Sequence, residues 1–278
     1  MASSLQYALR VVTGRVLPFP DRSCAYCGSS KTRAVGTKHW ILQLRECDDC
    51  GLKYRFPKDG IGCSRRFYEN DYDEPSVTDV PAPDELRRLA ERGFQGSHFD
   101  KSEKVDFLLS RLGNAWKELS YLDYGASFGY FMHQLLGRGA RKVFGFEISR
   151  SRARVGNELL GLDISSDTVR ITEHSHAPFD VVYSSHVLEH LACLDDALSL
   201  FRQVVCRPEG KLVIWVPNAS PPALERWHGG SWAGLVGEPH PLAIDYSFLE
   251  RTLPKYGFSV VEEGDPSAEE LRIVAKAG

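Results

Sequence analysis

Four cysteines within the first sixty residues have the spacing of a metal site. They form two C-x-x-C pairs, Cys24/Cys27 and Cys47/Cys50, with 19 residues between the pairs and a glycine after each pair. Four thiolates at such a spacing bind Zn²⁺ tetrahedrally and leave no open position for catalysis. The alternative is a set of free thiols or two redox pairs, although redox C-x-x-C motifs occur in a βαβ context that this segment lacks. The pattern therefore favours a structural zinc ion.

A second segment, YLDYGASFGYF at 121–131, has the pattern of a cofactor-binding turn. An apolar run ends in D-x-G-x-S-x-G, and the small residues Gly125, Ser127 and Gly129 allow a ligand to approach the backbone. The next apolar run ends at Glu147, whose carboxylate can accept hydrogen bonds from both hydroxyls of a ribose. The turn lacks the third glycine of the dinucleotide fingerprint, and the chain contains no P-loop motif. A structural turn in a domain that binds nothing is the alternative.

Two histidines are candidates for removing a proton from a substrate. His190 lies in VLEHL, and His240 lies in WHGGSWAGLVGEPHPLAIDY, a stretch predicted to be a loop over the active site. An imidazole titrates near neutral pH and therefore suits a general base. For His190 the alternative is a helix-start residue that packs and hydrogen-bonds, with Glu189 as a helix-start charge that favours the dipole. For His240 the alternative is a lid held by packing of Trp227 and Trp232.

The elements that would position these residues alternate along the chain. From residue 119 onward, short apolar runs alternate with helical stretches, which is typical of βαβ units around a mainly parallel sheet in an α/β fold. Only GDPSAE separates the last two runs, so they are predicted to form an antiparallel hairpin. The predicted strands are 119–124, 141–147, 162–165, 179–184, 211–216, 257–263 and 270–276, and the predicted helices between them include 128–138, 151–160, 188–205 and 245–256.

The composition divides the chain into three parts. Residues 1–60 are predicted to hold a leader and the cysteine-rich segment, and that segment is predicted to be poor in strands. Residues 119–278 are predicted to form the cofactor-binding domain. Residues 61–118 are predicted to be a linker and a helical cap, with helices in DELRRLAERGF and EKVDFLLSRLGNAW. In the linker stretch FYENDYDEP, Tyr68 and Tyr72 could close over the cofactor with their aromatic faces. An ordinary packed linker is the alternative.

Charge and cysteine content restrict the environment of the protein. The chain has 278 residues, a formal net charge of −3 and seven cysteines, an odd number that fits a reducing cytoplasm better than a disulfide framework. No apolar run approaches the roughly 20 residues that span a bilayer, and the first 20 residues lack the apolar core of a secretory signal. Residues 1–60 hold ten Lys/Arg against five Asp/Glu but no dense basic cluster with interleaved aromatics. We therefore expect a cytoplasmic protein with no membrane attachment, and the charge pattern disfavours a nucleic-acid partner.

Together these motifs resemble class I S-adenosylmethionine-dependent methyltransferases. The matching pieces are LDYGASFG, Glu147, FDVVYSSHVLEHL, RPEGKLVIWVPN and GFSVVEE. The family implies a Rossmann-like seven-stranded sheet with a reversed last hairpin and S-adenosylmethionine as the cofactor. The commonest loop of the family has a glycine where this chain has Ser127. Serine is a small, polar side chain, so the difference is compatible with cofactor binding.

The resemblance also implies a role for individual residues. The loop 125–129 would contact the methionine part of the cofactor, Glu147 would hold the ribose, and Asp167 would lie near the adenine amine. Ser184 and His186, after the fourth run, would line the sulfonium side together with Ser185. The predicted cofactor-binding residues are Tyr68, Tyr72, Asp123, Gly125, Ser127, Gly129, Glu147, Asp167, Ser184 and His186.

The order of the segments is similar to that of bacterial methyltransferases of sugar and natural-product pathways, the deoxysugar C-methyltransferases among them. A zinc ribbon is followed by CGLKYRFP, FYENDYDEP and the methyltransferase core. The similarity implies a small-molecule acceptor such as a sugar, a nucleotide-sugar or a natural-product intermediate. Two alternatives stay open. One is an RNA methyltransferase with a basic ribbon, although the stretch after the fourth predicted strand reads SSHV and is not an N-P-P-Y/F motif. The other is a non-catalytic cofactor-fold protein with a partner-binding ribbon.

Overall fold

The computed structural model describes residues 12, 21–40, 42–58, 79–237 and 240–278. The chain divides into two compact units. The first unit comprises Met1–Arg66, His186–Leu200 and Ile214–Ala275, and the second comprises Phe67–Ser185, Phe201–Val213 and Lys276–Gly278. Within the described ranges, no helix has the length and apolar character needed to cross a lipid bilayer.

The regular elements follow one another in the predicted alternation from β4 onward. The strands are β1 (Thr32–Lys38), β2 (Leu42–Cys47), β3 (Lys53–Phe56), β4 (Ser120–Tyr124), β5 (Lys142–Phe146), β6 (Ile164–Ser165), β7 (Val181–Ser185), β8 (Lys211–Pro217), β9 (Leu242–Ala243), β10 (Phe258–Glu263) and β11 (Glu270–Ala277). The helices are α1 (Pro83–Glu91), α2 (Ser102–Ser110), α3 (Tyr130–Arg138), α4 (Arg150–Leu160), α5 (Val169–Glu173), α6 (Leu194–Val204), α7 (Pro221–His228) and α8 (Tyr246–Thr252).

The larger sheet has seven strands in the order β10-β11-β8-β7-β4-β5-β6. Strand β4 pairs in parallel with β5 and β7, and β5 pairs in parallel with β6. All five residues of β4 are buried, as expected for a central strand covered on both faces. Strands β10 and β11 are neighbours joined only by 264–269, which is too short for a parallel crossover of about a dozen residues. The predicted seven-stranded α/β fold is therefore confirmed.

A smaller sheet lies in the first unit, and here the prediction of a strand-poor segment is wrong. Its order is β1-β2-β3-β9, and all three pairings are antiparallel. Two inward positions are occupied by arginines, Arg45 at 7% exposure and Arg55 at 1%. These buried charges hide the apolar alternation by which a strand is recognised from sequence.

Two further predicted elements differ from the structure. The predicted helix 188–205 is broken into a 3-10 turn at Leu188–His190 and helix α6. The prediction of a loop rather than a core element at 227–246 is also wrong, because the described residues of that stretch include helical turns, a strand and buried core residues. It contains the end of α7, a 3-10 turn at Trp232–Gly234 and strand β9, and the buried Trp232 belongs to a core cluster with Leu44 and Ala243.

Candidate functional site

The glycine-rich segment forms a tight loop between β4 and α3. The N–H groups of Gly125 and Ala126 both donate to the carbonyl of Phe146, at 2.8 and 2.9 Å, so the loop closes on the end of β5. Its backbone has positive φ at three positions: +94° at Gly125, +52° at Ser127 and +85° at Gly129. This left-handed conformation is costly for residues with a Cβ, which explains the glycines.

Gly129 is also required by close packing. A Cβ at this position would clash with Leu162 Cδ1 and come within 3.0 Å of Ile164 Cδ1. Gly129 is the residue before the first turn of α3, so the helix N-terminus approaches β6 closely. The small residue therefore fixes where the helix begins relative to the strand ends.

Glu147, directly after β5, holds this loop through its carboxylate. Oε2 accepts the N–H of Ser127 and Oε1 accepts the N–H of Ser149, both at 2.8 Å. Burial raises the pKa of Glu147, and the two N–H donors and the neighbouring Arg152 offset part of that increase. A carboxylate has about four acceptor positions, so each oxygen can still accept one ribose hydroxyl.

Asp123 lies beside Glu147 in the same buried region. It is 5% exposed, and burial together with the charge of Glu147 raises its pKa to about 8. Tyr130 was not predicted from the sequence, although it opens α3 directly after the loop. Burial and the carboxylates of Asp123 and Glu147 raise the pKa of its phenol, which places the hydroxyl in the same electrostatic environment. An aromatic residue straight after a glycine loop is the signal that could have identified it.

The helical segment before β4 supports the loop from one side. Phe99 packs edge-on against Phe128 of the loop at 4.9 Å between ring centroids, and both belong to a buried cluster with Leu86 of α1. Gln134 of α3 accepts the N–H of Lys101 and donates to the carbonyl of Phe99. These contacts support the loop from the helical segment that precedes β4.

The remaining predicted cofactor residues have different surroundings. Ser184, on β7, is buried. Asp167 is exposed, and its carboxylate accepts the N–H of Val169 at the start of α5. His186 directly follows β7 in the chain and has a φ of +55°. Tyr68 and Tyr72 lie outside the described residues, so their role stays a prediction.

The four predicted cysteine ligands converge in the first unit. Their sulfurs lie within 4.8 Å of one another, with Cys24 Sγ 3.5 Å from Cys50 Sγ and Cys27 Sγ 3.6 Å from Cys47 Sγ. Zinc–sulfur bonds of about 2.3 Å would place tetrahedral sulfurs about 3.8 Å apart, whereas a disulfide needs about 2.05 Å. The cluster therefore has the dimensions of a four-thiolate metal site.

The glycines after each cysteine pair shape the two turns of this cluster. Gly28 and Gly51 have φ values of +69° and +80°. Their N–H groups donate to the carbonyls of Cys24 and Cys47, at 3.2 and 2.8 Å. Each turn thus brings its two cysteines to the same side, as binding of one metal ion by both would require.

The two predicted histidines come together around the carboxylate of Glu189. The rings of His190 and His240 are 4.4 Å apart and nearly perpendicular. Glu189 is predicted to be a helix-start charge, but it lies in a single 3-10 turn and is 2% exposed, and its Oε1 lies 3.8 Å from His190 Nε2. Burial alone would raise the pKa of Glu189, but the imidazoles of His190, His186 and His240 hold it below its usual value.

His186 completes this group from the other side of the carboxylate. Its Nδ1 lies 3.3 Å from Glu189 Oε1, and its Nε2 lies 2.5 Å from Glu270 Oε1. The ring of His186 therefore lies between two carboxylates. The first unit therefore holds three imidazoles around one buried carboxylate.

The position of His240 is fixed by the smaller sheet. The carbonyl of Pro241 accepts the N–H of Arg55, and the Gly237 N–H donates to the carbonyl of His240, both at 2.9 Å. The guanidinium of Arg55 donates to the carbonyls of Gly237 and Pro57, at 2.5 and 2.8 Å. Thus the strand that follows the cysteine cluster also holds the backbone around His240.

Comparison with known proteins identifies the type of domain. A family model described as a methyltransferase domain matches residues 81–263. None of the curated proteins compared with the chain matches it.

Two solved structures share the fold. Geranyl diphosphate C-methyltransferase from Streptomyces coelicolor A3(2), in complex with Mg²⁺, geranyl diphosphate and S-adenosyl-L-homocysteine, is similar at 13% identity with a TM-score of 0.54. The match covers 78% of this chain and 98% of that one. Magnesium protoporphyrin IX methyltransferase from Synechocystis PCC 6803 is similar at 16% identity with a TM-score of 0.50, over 78% of this chain and 99% of that one. The family model covers well over half of the sequence, and the chain therefore belongs to the family of proteins that carry this methyltransferase domain.

Proposed function

We propose that the protein transfers the methyl group of S-adenosylmethionine to a small-molecule acceptor. The observation that carries this proposal is the loop 125–129 held by the buried carboxylate of Glu147. Ligands of open parallel sheets bind at the carboxyl ends of the strands, and Gly125 and Glu147 directly follow β4 and β5. Membership of the methyltransferase-domain family supports the reaction, and two enzymes of this fold act, by name, on geranyl diphosphate and magnesium protoporphyrin IX.

In the proposed complex, the carboxylate of Glu147 accepts both ribose hydroxyls and the loop contacts the methionine part of the cofactor. Asp123, with its raised pKa, lies near the same end of β4 and would favour the cationic sulfonium once ionised. Asp167 is proposed for the adenine amine, and Ser184 and His186 for the sulfonium side.

The transfer itself is an in-line displacement. A lone pair of the acceptor forms the new bond to the methyl carbon while the carbon–sulfur bond breaks, and the sulfur keeps the bonding pair as a neutral thioether. The acceptor gives up one proton. We propose that His190 and His240 promote this proton loss, because two imidazoles beside a buried carboxylate form the acid–base group of the first unit.

The four cysteines are proposed to bind a structural Zn²⁺. Thiolates at these separations suit zinc, and four of them leave no position for a substrate. The proposed function of this ion is to hold the turns at 24–28 and 47–51, between which β1 and β2 lie. A ribbon of this size has little core of its own, so the metal should contribute much of its folding free energy.

The test is calorimetric titration of the full chain with S-adenosylmethionine and S-adenosylhomocysteine. We expect micromolar-range binding of both, and Glu147→Gln should weaken it by about tenfold or more, since a charge-assisted hydrogen bond contributes about 1.5–3 kcal/mol. The matched control is Glu158→Gln, an exposed carboxylate on α4 of the same unit, which should bind as the unaltered chain does. A folded protein that binds neither ligand, or equal affinity in both variants, would contradict the proposed cofactor site.

A sugar, nucleotide-sugar or natural-product acceptor is proposed over RNA. Screening these small molecules with labelled S-adenosylmethionine tests the substrate class directly. RNA binding would show an affinity that falls steeply with salt, because phosphate contacts release counterions. Retention of RNA at physiological salt without transfer to any small molecule would reverse this preference.

A further inference from the structure

We propose that Glu189, His190 and His240 form a second metal site, one that binds a first-row divalent transition-metal ion. One ligand atom from each of the three side chains lies within 4.8 Å of the other two. Two imidazoles and one carboxylate are a ligand set that such ions prefer, and the set leaves positions open for oxygen donors. This inference rests on the proposed function only where it concerns the acceptor.

The state of Glu189 is the observation that points to a cation. The side chain is 2% exposed, and neither carboxylate oxygen makes a well-aligned hydrogen bond with the described residues, although His186 Nδ1 lies 3.3 Å from Oε1. A buried carboxylate is costly unless it is paired or bound to a metal. The turn Leu188–His190 that carries it is a single 3-10 turn, so its own element supplies no helix dipole of several turns.

The distances allow a metal without rearrangement of the backbone. Metal–ligand bonds of about 2.1 Å place neighbouring ligand atoms about 3.0–3.5 Å apart. Glu189 Oε1 and His190 Nε2 are 3.8 Å apart, so small side-chain rotations would bring them into range. The backbone of the third ligand is held by hydrogen bonds from Gly237 to His240 and from Arg55 to Pro241.

His186 has the geometry of a supporting residue rather than a ligand. Its Nε2 lies 2.5 Å from Glu270 Oε1, while its Nδ1 faces Glu189. Outer partners of this kind orient a ligating carboxylate. Glu270 at the start of β11 thereby anchors the metal site to the sheet.

The site would deepen the proposed role of the two histidines in proton loss. With the ion bound, His190 and His240 would promote that loss as its ligands, because an acceptor hydroxyl at an open position would have a lowered pKa and would release its proton to solvent. The ion would therefore bind and deprotonate an acceptor through oxygen, and His190 and His240 would act as ligands.

The experiment separates the two metal sites by their ligand chemistry. The full chain, free of any affinity tag, is loaded with one equivalent of Zn²⁺ to fill the cysteine cluster and is then titrated with Co²⁺. We expect one further equivalent to bind with weak visible d–d bands and without the intense thiolate-to-cobalt charge-transfer band. Glu189→Gln and His240→Asn should each weaken this binding by at least about tenfold, the loss typical of a ligand-shell change.

The matched control is His39→Asn, which removes an exposed imidazole of the same unit at a backbone φ of +51° that asparagine tolerates. It should bind Co²⁺ as the unaltered chain does. Absence of a second equivalent, a thiolate band for that equivalent, or equal affinity in Glu189→Gln and His240→Asn would overturn the proposal. Calorimetry with S-adenosylmethionine on the same samples reports folding of the second unit and tests the proposed function separately.

Discussion

The N–H of Ser127 donates to Oε2 of Glu147 at 2.8 Å, so the middle of the loop after β4 is held by the carboxylate at the end of β5. The other oxygen of the same carboxylate holds the N–H of Ser149. The group proposed to bind the ribose therefore also shapes the loop proposed to bind the methionine part. Such preorganisation lowers the entropy lost when a ligand binds.

Asp123 should make the stability of the protein dependent on pH. Its pKa in the folded protein is about 8, whereas an unfolded aspartate has a pKa of about 4. The folded state thus binds more protons between these values, and its stability should fall as the pH rises from about 4 to 8. Urea unfolding across this range should show the decrease, and it should be smaller in Asp123→Asn. An identical pH profile in the two proteins would contradict the assignment of the raised pKa to Asp123.

Gly129→Ala should destabilise the protein and weaken S-adenosylmethionine binding. The new Cβ adds the cost of a positive φ to a clash with Leu162, together about 2–5 kcal/mol. Gly139→Ala is the matched control at the other end of α3. Its φ is +111°, but its Cβ would meet only the flexible side chain of Lys117 at 3.5 Å or more, so about 1–2 kcal/mol is expected. Urea unfolding measures both, and equal losses would argue against close packing at Gly129.

The loop and the last hairpin could be predicted because their signals are local. The run from Asp123 to Gly129 contains small residues at fixed offsets. The backbone φ is positive at both glycines of this run, a conformation that favours glycine, so the residue types themselves indicate the loop. The hairpin followed from the length of 264–269 alone. Both conclusions depend on residues that are adjacent in the chain.

The cluster around Glu189 could not be predicted because it is made by distant parts of the chain. Glu189 and His240 meet where the turn Leu188–His190 contacts the β9 region, and a two-residue strand carries no periodicity. In addition, the 3-10 turn at 188–190 resembles a helix start in sequence, where glutamate is common and exposed. Burial of its carboxylate is a tertiary property that its neighbours in sequence do not reveal.

Removal of the metal from the cysteine cluster should loosen the backbone near His240. Strands β1 and β2 lie between the two cysteine turns, and β3 pairs with β9 directly after Pro241. Hydrogen exchange should therefore show lost protection of the amides at 242–244 in Cys24→Ser or after chelation. S-adenosylmethionine affinity should change little, because Glu147 and Phe146, which hold the loop, belong to the second unit.

Cys206→Ser is the control for this experiment. Cys206 is a free thiol outside the cluster and in the second unit, so its loss should leave the protection at 242–244 unchanged. If protection there survives metal removal, the cysteine cluster does not support the β9 region, and its role must lie elsewhere in the first unit.

Arg55→Lys should destabilise the first unit and release the turn before His240. The guanidinium is 1% exposed and donates in two directions, to the carbonyls of Gly237 and Pro57, whereas a lysine ammonium on a flexible stem cannot reproduce both bonds. A buried hydrogen bond from a charged group contributes about 1.5–3 kcal/mol, so a loss of about 2–4 kcal/mol is expected.

Arg33→Lys tests whether this loss of stability comes from burial of the side chain rather than from replacing an arginine with a lysine. The side chain of Arg33 is 58% exposed and pairs with Glu46 and Asp48 on the surface, where ion pairs contribute about 0–1 kcal/mol. Urea unfolding should thus separate the two variants clearly, and hydrogen exchange near 237–241 should increase only in Arg55→Lys. Equal stability of the two variants would mean that Gly237 and Pro57 find other donors, and that the position of His240 does not depend on Arg55.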